Sequence, residues 1–313
     1  MKFKKILVMD ELGLDKEYWE RLDSLCEKKI VLPLNSPEIK EHLADVDCIL
    51  VKFLAKVDKK IIDASPKLKY VGVLATGYGR VDADYAKTKG ISVCNVPGFS
   101  TESVAEFVFA TILEHIRDLE RGKKQIREGN YSEGGFSAIE IKGKVFGILG
   151  LGRIGGRTAE LALAFGADVR YWSRNRKKEF EKRGIKYEDA DELIKNSDIL
   201  SLHFAKTKDT ENFLNEQRIK TIKKGAVVIN TSPMELLDLK TLEKRIQKGD
   251  ITFILDHSDE MKPEDVKRLV QYKNCIIYPP IAYLSKEGRI IKQKIFVENI
   301  ENFLKGNSTN KVN

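Results

Sequence analysis

The stretch KVFGILGLGRIGGRTAELALAFGADVRYWSR, Lys144 to Arg174, joins three signals in one run. An apolar, β-branched segment, Val145–Leu149, meets Gly150-Leu151-Gly152-Arg153-Ile154-Gly155, and an alanine- and leucine-rich segment follows it. A second apolar run then begins at Asp168–Trp172. A lone glycine pattern of this kind arises by chance, but between a strand and a helix, with another strand behind, it is specific. The first glycine permits a tight turn, the second lets the backbone approach a pyrophosphate, and the third packs helix against strand. The helix start adds free N–H groups and the positive end of a dipole. Gly150, Gly152, Arg153, Ile154 and Gly155 are therefore expected to bind a dinucleotide, the competing reading being a glycine-rich turn without a ligand.

The end of the second run bears on which dinucleotide. A site for NAD carries Asp or Glu about 20 residues past the first glycine, accepting hydrogen bonds from the ribose. Here Ser173 stands at that place, followed by Arg174, Asn175 and Arg176. A carboxylate would repel the additional phosphate of NADP, whereas a serine and two guanidiniums would bind it. The expectation is NADP(H) preferred, with NAD(H) possible, set against an ordinary solvated basic turn.

Working outward, short apolar runs alternate with segments of helical period, the pattern of βαβ units around parallel sheets, so the chain reads as α/β. Before the glycine pattern, strands are expected at Lys5–Met9, Ile30–Leu32, Cys48–Val51, Val71–Leu74 and Ile91–Cys94. After it they are expected near Asp168–Trp172, Ile199–His203, Val227–Ile229, Thr252–Leu255 and Ile276–Tyr278. Helical stretches include Lys16–Glu27, Lys59–Ala64 and a final helix Arg289–Leu304 ending at Gly306. The tail NSTNKVN reads as polar and loose. A helix from Ser100, its N-cap, to Leu119 is apolar on many sides, which places it in a core or in a subunit interface. An oligomer is the favoured expectation.

The chain has 313 residues, 42% of them hydrophobic and 33% charged, which suits two domains. No apolar run approaches the ~18–20 residues that span a bilayer. The opening MKFKKILVMDELG reads as a first strand rather than a signal peptide, because its apolar run is short and meets acidic residues at once. A cytoplasmic protein is expected. Net charge is +8, but lysines alternate with glutamates along most helices, against a nucleic-acid partner. Cys26, Cys48, Cys94 and Cys275 form no CxxC pair and read as buried thiols. The four histidines show no metal-ligand spacing, so no metal is expected.

With these residues in hand, the chain resembles the D-isomer-specific 2-hydroxyacid dehydrogenase family over nearly its full length. LKYVGVLATGYGRVDADYAKTKGISVCNVPGFSTESVAEFVFATIL resembles its glycerate dehydrogenase and glyoxylate/hydroxypyruvate reductase branch. SLHFAKTKDTENFLN resembles a Leu-His-x-Pro-Leu-Thr segment, with Ala205 where proline is usual. The resemblance implies two Rossmann-like, doubly wound parallel-sheet domains with a cleft between them, and a homodimer. Residues 1–98 with 287–313 would form a flavodoxin-like substrate domain, and residues 99–286 the dinucleotide-binding domain. Carried over, the backbone of Ala75 to Gly79, with Thr76, Gly77 and Tyr78, would hold a substrate carboxylate. Lys52 would be a substrate-binding cation, and His203, Thr231, Ser232 and Asp256 would lie near a nicotinamide.

The family reduces 2-keto acids with an arginine that clamps the carboxylate, a histidine that gives a proton and a glutamate that raises the histidine's pKa. Here the corresponding positions are Pro233, Pro280 and Met261. None of the four histidines lies within twenty residues of Pro280, so no small shift in alignment restores the acid. General acid–base catalysis is worth about 10²–10⁴-fold, and the ordinary reduction should be severely impaired. One reading is an oxidoreductase with a rearranged site and a non-standard carbonyl or hydroxy substrate. His257 is its candidate donor, Glu260 orients it, Lys52 or Arg80 supplies the cation, and Tyr278 and Tyr283 are further candidates, Tyr283 also for substrate binding. Against it stand a surface or capping role for His257 and structural roles for the others. The other reading is a catalytically silent NADP-binding sensor or scaffold.

Overall fold

Strand-forming runs and helical periods settle into two parallel sheets in the computed structural model, which describes residues 1–313. The chain divides into two compact units, Met1–Phe99 with Ser285–Asn313, and Ser100–Leu284. In chain order the first contains β1 (Phe3–Met9), α1 (Lys16–Ser24), β2 (Cys26–Leu32), α2 (Ile39–His42), β3 (Cys48–Val51), α3 (Lys59–Asp63), β4 (Tyr70–Val73), α4 (Ala83–Thr88) and β5 (Ser92–Cys94). The second contains α5 (Thr101–Arg117), α6 (Leu119–Arg127), β6 (Val145–Leu149), α7 (Arg153–Ala164), β7 (Asp168–Trp172), α8 (Lys178–Glu181), β8 (Lys186–Tyr187), α9 (Ala190–Asn196) and β9 (Ile199–Leu202). It continues through α10 (Glu216–Thr221), β10 (Val227–Asn230), α11 (Leu239–Gln247), β11 (Thr252–Leu255), α12 (Pro263–Leu269) and β12 (Cys275–Ile277), after which α13 (Lys286–Leu304) returns to the first unit.

In the first unit the strands lie in the order β2-β1-β3-β4-β5. Helix α13 starts at Ser285, whose hydroxyl accepts from the Gly288 N–H. It sets Phe296, Val297 and Ile300 against Phe3, Ile6, Leu50 and Tyr70 on one face of the sheet. The opposite face buries Leu7, Ile49, Val71 and Val93 under the short helices. Two expectations are corrected here. The segment Lys16–Glu27 is not all helix: α1 stops at Ser24 because Cys26 and Glu27 enter β2, where Cys26 pairs with Phe3. The tail is not loose. Lys311 bridges Cys94 antiparallel, the Val312 N–H donates to the Val93 carbonyl, and the Asn313 amide bonds the Val93 N–H and the Ala83 and Ile91 carbonyls. The polar tail thus covers the open edge of β5.

In the second unit the order is β12-β11-β10-β9-β6-β7-β8. The connections run outward from β6 in one direction to β8, then resume beside β6 at β9 and run the other way. The strand order therefore reverses between β6 and β9, and the C-terminal ends of these strands are where an open α/β sheet takes its ligand. The apolar faces of α5 are covered within this unit, where Val108, Phe109, Ile112 and Ile116 pack with Phe146, Ile148 and Ala159. Its expected extent needs correction: Asp118 adopts φ +51, ending α5 at Arg117, and α6 follows as a separate helix. Ser100 occupies the N-cap position but makes no side-chain cap, while the Ser103 hydroxyl donates to the Ser100 carbonyl. All four cysteines are free and buried, and burial pushes the Cys275 thiol up to about 12. No helix is long and apolar enough to cross a membrane.

Candidate functional site

At the C-terminal end of β6 the chain turns through Gly150 at φ +98, a left-handed backbone that favours glycine. Its N–H donates to the Trp172 carbonyl, tying the turn to β7. A Cβ on Gly150 would stand 2.7 Å from the His203 carbonyl oxygen, and one on Gly155 would run into the Gly150 carbonyl oxygen and stand 3.2 Å from the His203 Cβ. These two glycines are therefore dictated by packing. Gly152 differs, for a Cβ there would meet nothing within 4 Å. Its missing side chain opens the turn outward, at the start of a twelve-residue helix with no side-chain cap. A turn open at Gly152 above the uncapped N–H groups of Arg153, Ile154 and Gly155 fits a pyrophosphate.

The neighbouring strand ends also fit a nucleotide. The Thr231 hydroxyl, just past β10, is buried without a hydrogen-bond partner, as is Nδ1 of His203, just past β9. The other His203 nitrogen is 2.8 Å from the Ser201 hydroxyl, and burial pushes the ring down to about 3, so it is neutral. Ser232 is committed to the fold: its hydroxyl donates to the Leu202 carbonyl and its N–H to Asn230 Oδ1. Beyond β7, the Ser173 hydroxyl donates to the Asn175 carbonyl. Arg174 is an exposed side chain paired with the exposed Asp209 at 2.9 Å, a partner that a phosphate can displace. Arg176 is held more firmly, bidentate on Glu181 and over the Tyr187 ring.

Past β11 the structure gathers three of the sequence candidates. Asp256 is buried, and its Oδ1 accepts from the Ile281 and Ala282 N–H groups at 3.0 and 3.1 Å. Burial holds this carboxyl above the usual carboxylate range, the two N–H groups opposing that rise. The aspartate thus fastens the loop containing Pro279 and Pro280, a role its sequence position did not disclose. His257 is three-quarters buried, with Nδ1 3.7 Å from both Asp259 Oδ1 and Glu260 Oε1. The second Glu260 oxygen accepts from the Met234 N–H at 2.8 Å, directly after Pro233. Tyr278 is drawn away from this group: its hydroxyl donates to Glu114, its ring meets Phe107 edge-on, and its pKa is pushed up to about 12, chiefly by burial. Tyr283 is partly exposed, and its carbonyl accepts from the Ser103 hydroxyl.

In the first unit, the loop after β4 begins with Ala75 and Thr76, whose hydroxyl donates to the Val96 carbonyl. The Phe53 ring lies against Gly77, where a Cβ would stand 2.8 Å from it, while Tyr78 is partly exposed and Gly79 is open. Lys52, just past β3, pairs at 2.9 Å with Asp10, just past β1. Asp10 holds φ +81, and the lysine keeps its carboxyl below the usual range. Arg80 donates to the Leu54 carbonyl.

Comparison with known proteins places this arrangement among oxidoreductases. The family model for the NAD-binding domain of D-isomer-specific 2-hydroxyacid dehydrogenases matches residues 109–282. A hydroxypyruvate reductase of Blautia hydrogenotrophica is 31% identical, covering 99% of both chains. A D-lactate dehydrogenase of Aquifex aeolicus, solved with NAD and lactic acid, superposes with a TM-score of 0.85 at 29% identity, covering 96% of both chains. An acyclic imino acid reductase, solved with NADPH and D-Arg, superposes with a TM-score of 0.88 at 29% identity, covering 99% of this chain and all of that one.

Proposed function

This chain belongs to the D-isomer-specific 2-hydroxyacid dehydrogenase family, and on that premise we propose an NADP(H)-preferring reductase whose acid–base group has been rebuilt. The observation that carries the reading is an intact phosphate cradle at Gly150–Gly155 in a chain with proline at the family's proton-donor position, Pro280. A nicotinamide nucleotide bound there would supply hydride. Gly152 and the α7 start would hold its pyrophosphate, Arg174 its additional phosphate, and Thr231 with His203 would border the nicotinamide. His257 takes the donor role. Glu260, anchored through one oxygen by the Met234 N–H, turns the other toward His257 Nδ1, leaving the Nε2 proton to be given. Asp256 holds the di-proline loop in place.

A non-standard substrate follows from the same losses. A carbonyl accepting hydride becomes an alkoxide and needs an acid at once. An iminium arrives already protonated, so its reduction needs no proton from the protein during hydride transfer. The structural likeness to an imino acid reductase solved with NADPH supports imines as the first class to try. A homodimer in the cytoplasm belongs to this reading, and the exposed apolar Leu119, Ile126, Tyr131 and Ile139 support the pairing.

The test is fluorescence titration with NADPH and NADH, then NADPH oxidation with 2-keto acids, aldehydes and imines. His257→Ala should abolish turnover of 2-keto acids and aldehydes and His115→Ala should not; indifference of those carbonyl substrates to His257→Ala removes it from the donor role. Arg174→Ala should weaken NADPH far more than NADH, and equal losses would overturn the cofactor preference. The absence of all three family groups favours a second reading, a silent NADP-binding sensor or scaffold, which tight NADPH binding without turnover on the whole panel would select.

A further inference from the structure

We propose that Asp209 is a specificity-determining residue. With Arg174 it forms a latch across the mouth of the nucleotide cradle, left closed by a dinucleotide with a free ribose hydroxyl and opened by one with a phosphate there. The inference rests on the cofactor preference proposed above and adds the group that limits its size.

In the second unit β6 lies between β7 and β9, so the cradle at the end of β6 has the end of β7 on one side and the loop after β9 on the other. Arg174 stands two residues past β7 and Asp209 seven residues past β9, yet their side chains meet at 2.9 Å. The pair therefore bridges the two flanks of the strand that carries the phosphate turn. Rings pack the same two segments together: Trp172 meets Phe204 edge-on at 5.7 Å and Phe213 at 5.0 Å. Phe204 lies so close to Gly150 that a Cβ there would stand 2.9 Å from its ring. The loop is itself fixed. Thr210 is buried, its hydroxyl donating to the Ala205 carbonyl and accepting from the Thr207 N–H, both at 2.8 Å. The Asn212 N–H donates to the Glu235 carbonyl. Asp209 is thus presented to Arg174 from an ordered turn.

Two guanidiniums follow β7, and only one can be exchanged. Arg176 is bidentate on Glu181 and lies over the Tyr187 ring. Glu181 also accepts from the Tyr171 hydroxyl, which in turn accepts from the Lys177 N–H, so this group holds the turn in shape. Arg174 has a single exposed bond to an exposed carboxylate. Such a pair is worth little in water, so a phosphate displaces the carboxylate at small cost. That cost arises only when the ligand recruits Arg174. NAD(H) leaves the guanidinium with Asp209, whereas NADP(H) must separate the two. Asp209 therefore holds NADP(H) affinity down without touching NAD(H), narrowing a preference that Arg174 creates. Sequence alone hid the latch, because its halves are 35 positions apart and Asp209 sits in a lysine-rich loop that no motif marks.

The test titrates the full chain with NADPH, NADH and 2′,5′-ADP, the last carrying the phosphate without a nicotinamide. Asp209→Asn should tighten NADPH and 2′,5′-ADP about two- to fivefold, the worth of an exposed ion pair, and leave NADH unchanged. Glu211→Gln removes a charge from the same loop without touching Arg174 and should change none of the three. In the Arg174→Ala background the gain from Asp209→Asn should disappear. Unchanged NADPH affinity in Asp209→Asn, an equal gain for NADH, an equal gain from Glu211→Gln, or a full gain without Arg174 overturns the latch, the last two by assigning the effect to general repulsion. A wild type that binds neither NADPH nor 2′,5′-ADP ends the cofactor preference and the latch together. NADPH oxidation by the same preparations judges the reductase reading separately: a gain in Asp209→Asn by a protein that never oxidises NADPH keeps the latch and ends that reading.

Discussion

Gly152 and Gly155 lie three residues apart in one turn, yet alanine at each should do different damage. At Gly152 the new methyl meets no protein atom within 4 Å, and φ is −84, so the folded chain accepts it. What it displaces is the ligand. A Cβ over the helix start pushes a phosphate away from the N–H groups. Losing one hydrogen bond to a charged group costs about 1.5–3 kcal/mol, or roughly 10–150-fold in NADPH affinity. At Gly155 the methyl runs into the Gly150 carbonyl oxygen and comes within 3.1 Å of its carbon, so rigid backbone must move. Overpacking of this kind costs about 1–3 kcal/mol, which for a unit of this size lowers Tm by roughly 2–12 °C. Calorimetric melting without ligand and fluorescence titration with NADPH separate the two. Gly152→Ala should melt like the wild type and bind poorly; Gly155→Ala should melt early and bind poorly. Wild-type affinity in a well-folded Gly152→Ala would refute the assignment of this turn to a phosphate.

Two further outcomes follow from the loop and the tail. Asp256→Ala removes the acceptor of two loop N–H groups and should cost about 1–3 kcal/mol for each buried donor left unpaired, read as loss of stability in urea. Asp256→Asn keeps an acceptor without the charge. Because burial raises the folded carboxyl above its unfolded value of 3.8, the native state binds more protons in the window just above that value. Wild-type stability therefore falls as pH rises through that window, and in Asp256→Asn this contribution should disappear; identical pH profiles would show that the aspartate is not strained by burial. Deleting residues 310–313 removes the backbone and amide bonds to β5 and its flanks, at about 0.5–1.5 kcal/mol each. A melting curve unchanged by the deletion would count against the docked tail.

The parts of this protein legible in its sequence are those whose cause is local. The bounds of β3, β6, β7 and β11 follow from apolar runs cut off by glycine or polar residues, and the cradle follows from glycine's freedom at one turn. The expectation that Pro233, Met261 and Pro280 stand at the family's arginine, glutamate and histidine positions is likewise read from position along a motif. What stayed hidden depends on distant partners. The two-residue strand β8 has no apolar pattern and exists because Arg170 and Tyr171 offer it a ladder. The break at Asp118 needs a left-handed residue that nothing in the apolar periodicity marks. The tail is polar throughout, and its order comes from Asn313 reaching backbone groups more than two hundred positions away. For the same reason, motif position linked Asp256 to a cofactor, whereas the folded chain turns its carboxylate to a loop.

Building the first unit from both ends of this sequence sets an order of events during synthesis. Residues 100–284 form a continuous unit and can complete their sheet as soon as they leave the ribosome. Strands β1 to β5 emerge earlier but must wait, for one face of their sheet, partly covered by Tyr18 and Leu22 of α1, is completed only when Phe296, Val297 and Ile300 arrive. During that interval strands made before the second unit are the last to become dry. Their exposed apolar face is the surface on which chaperone capture or misassembly would act.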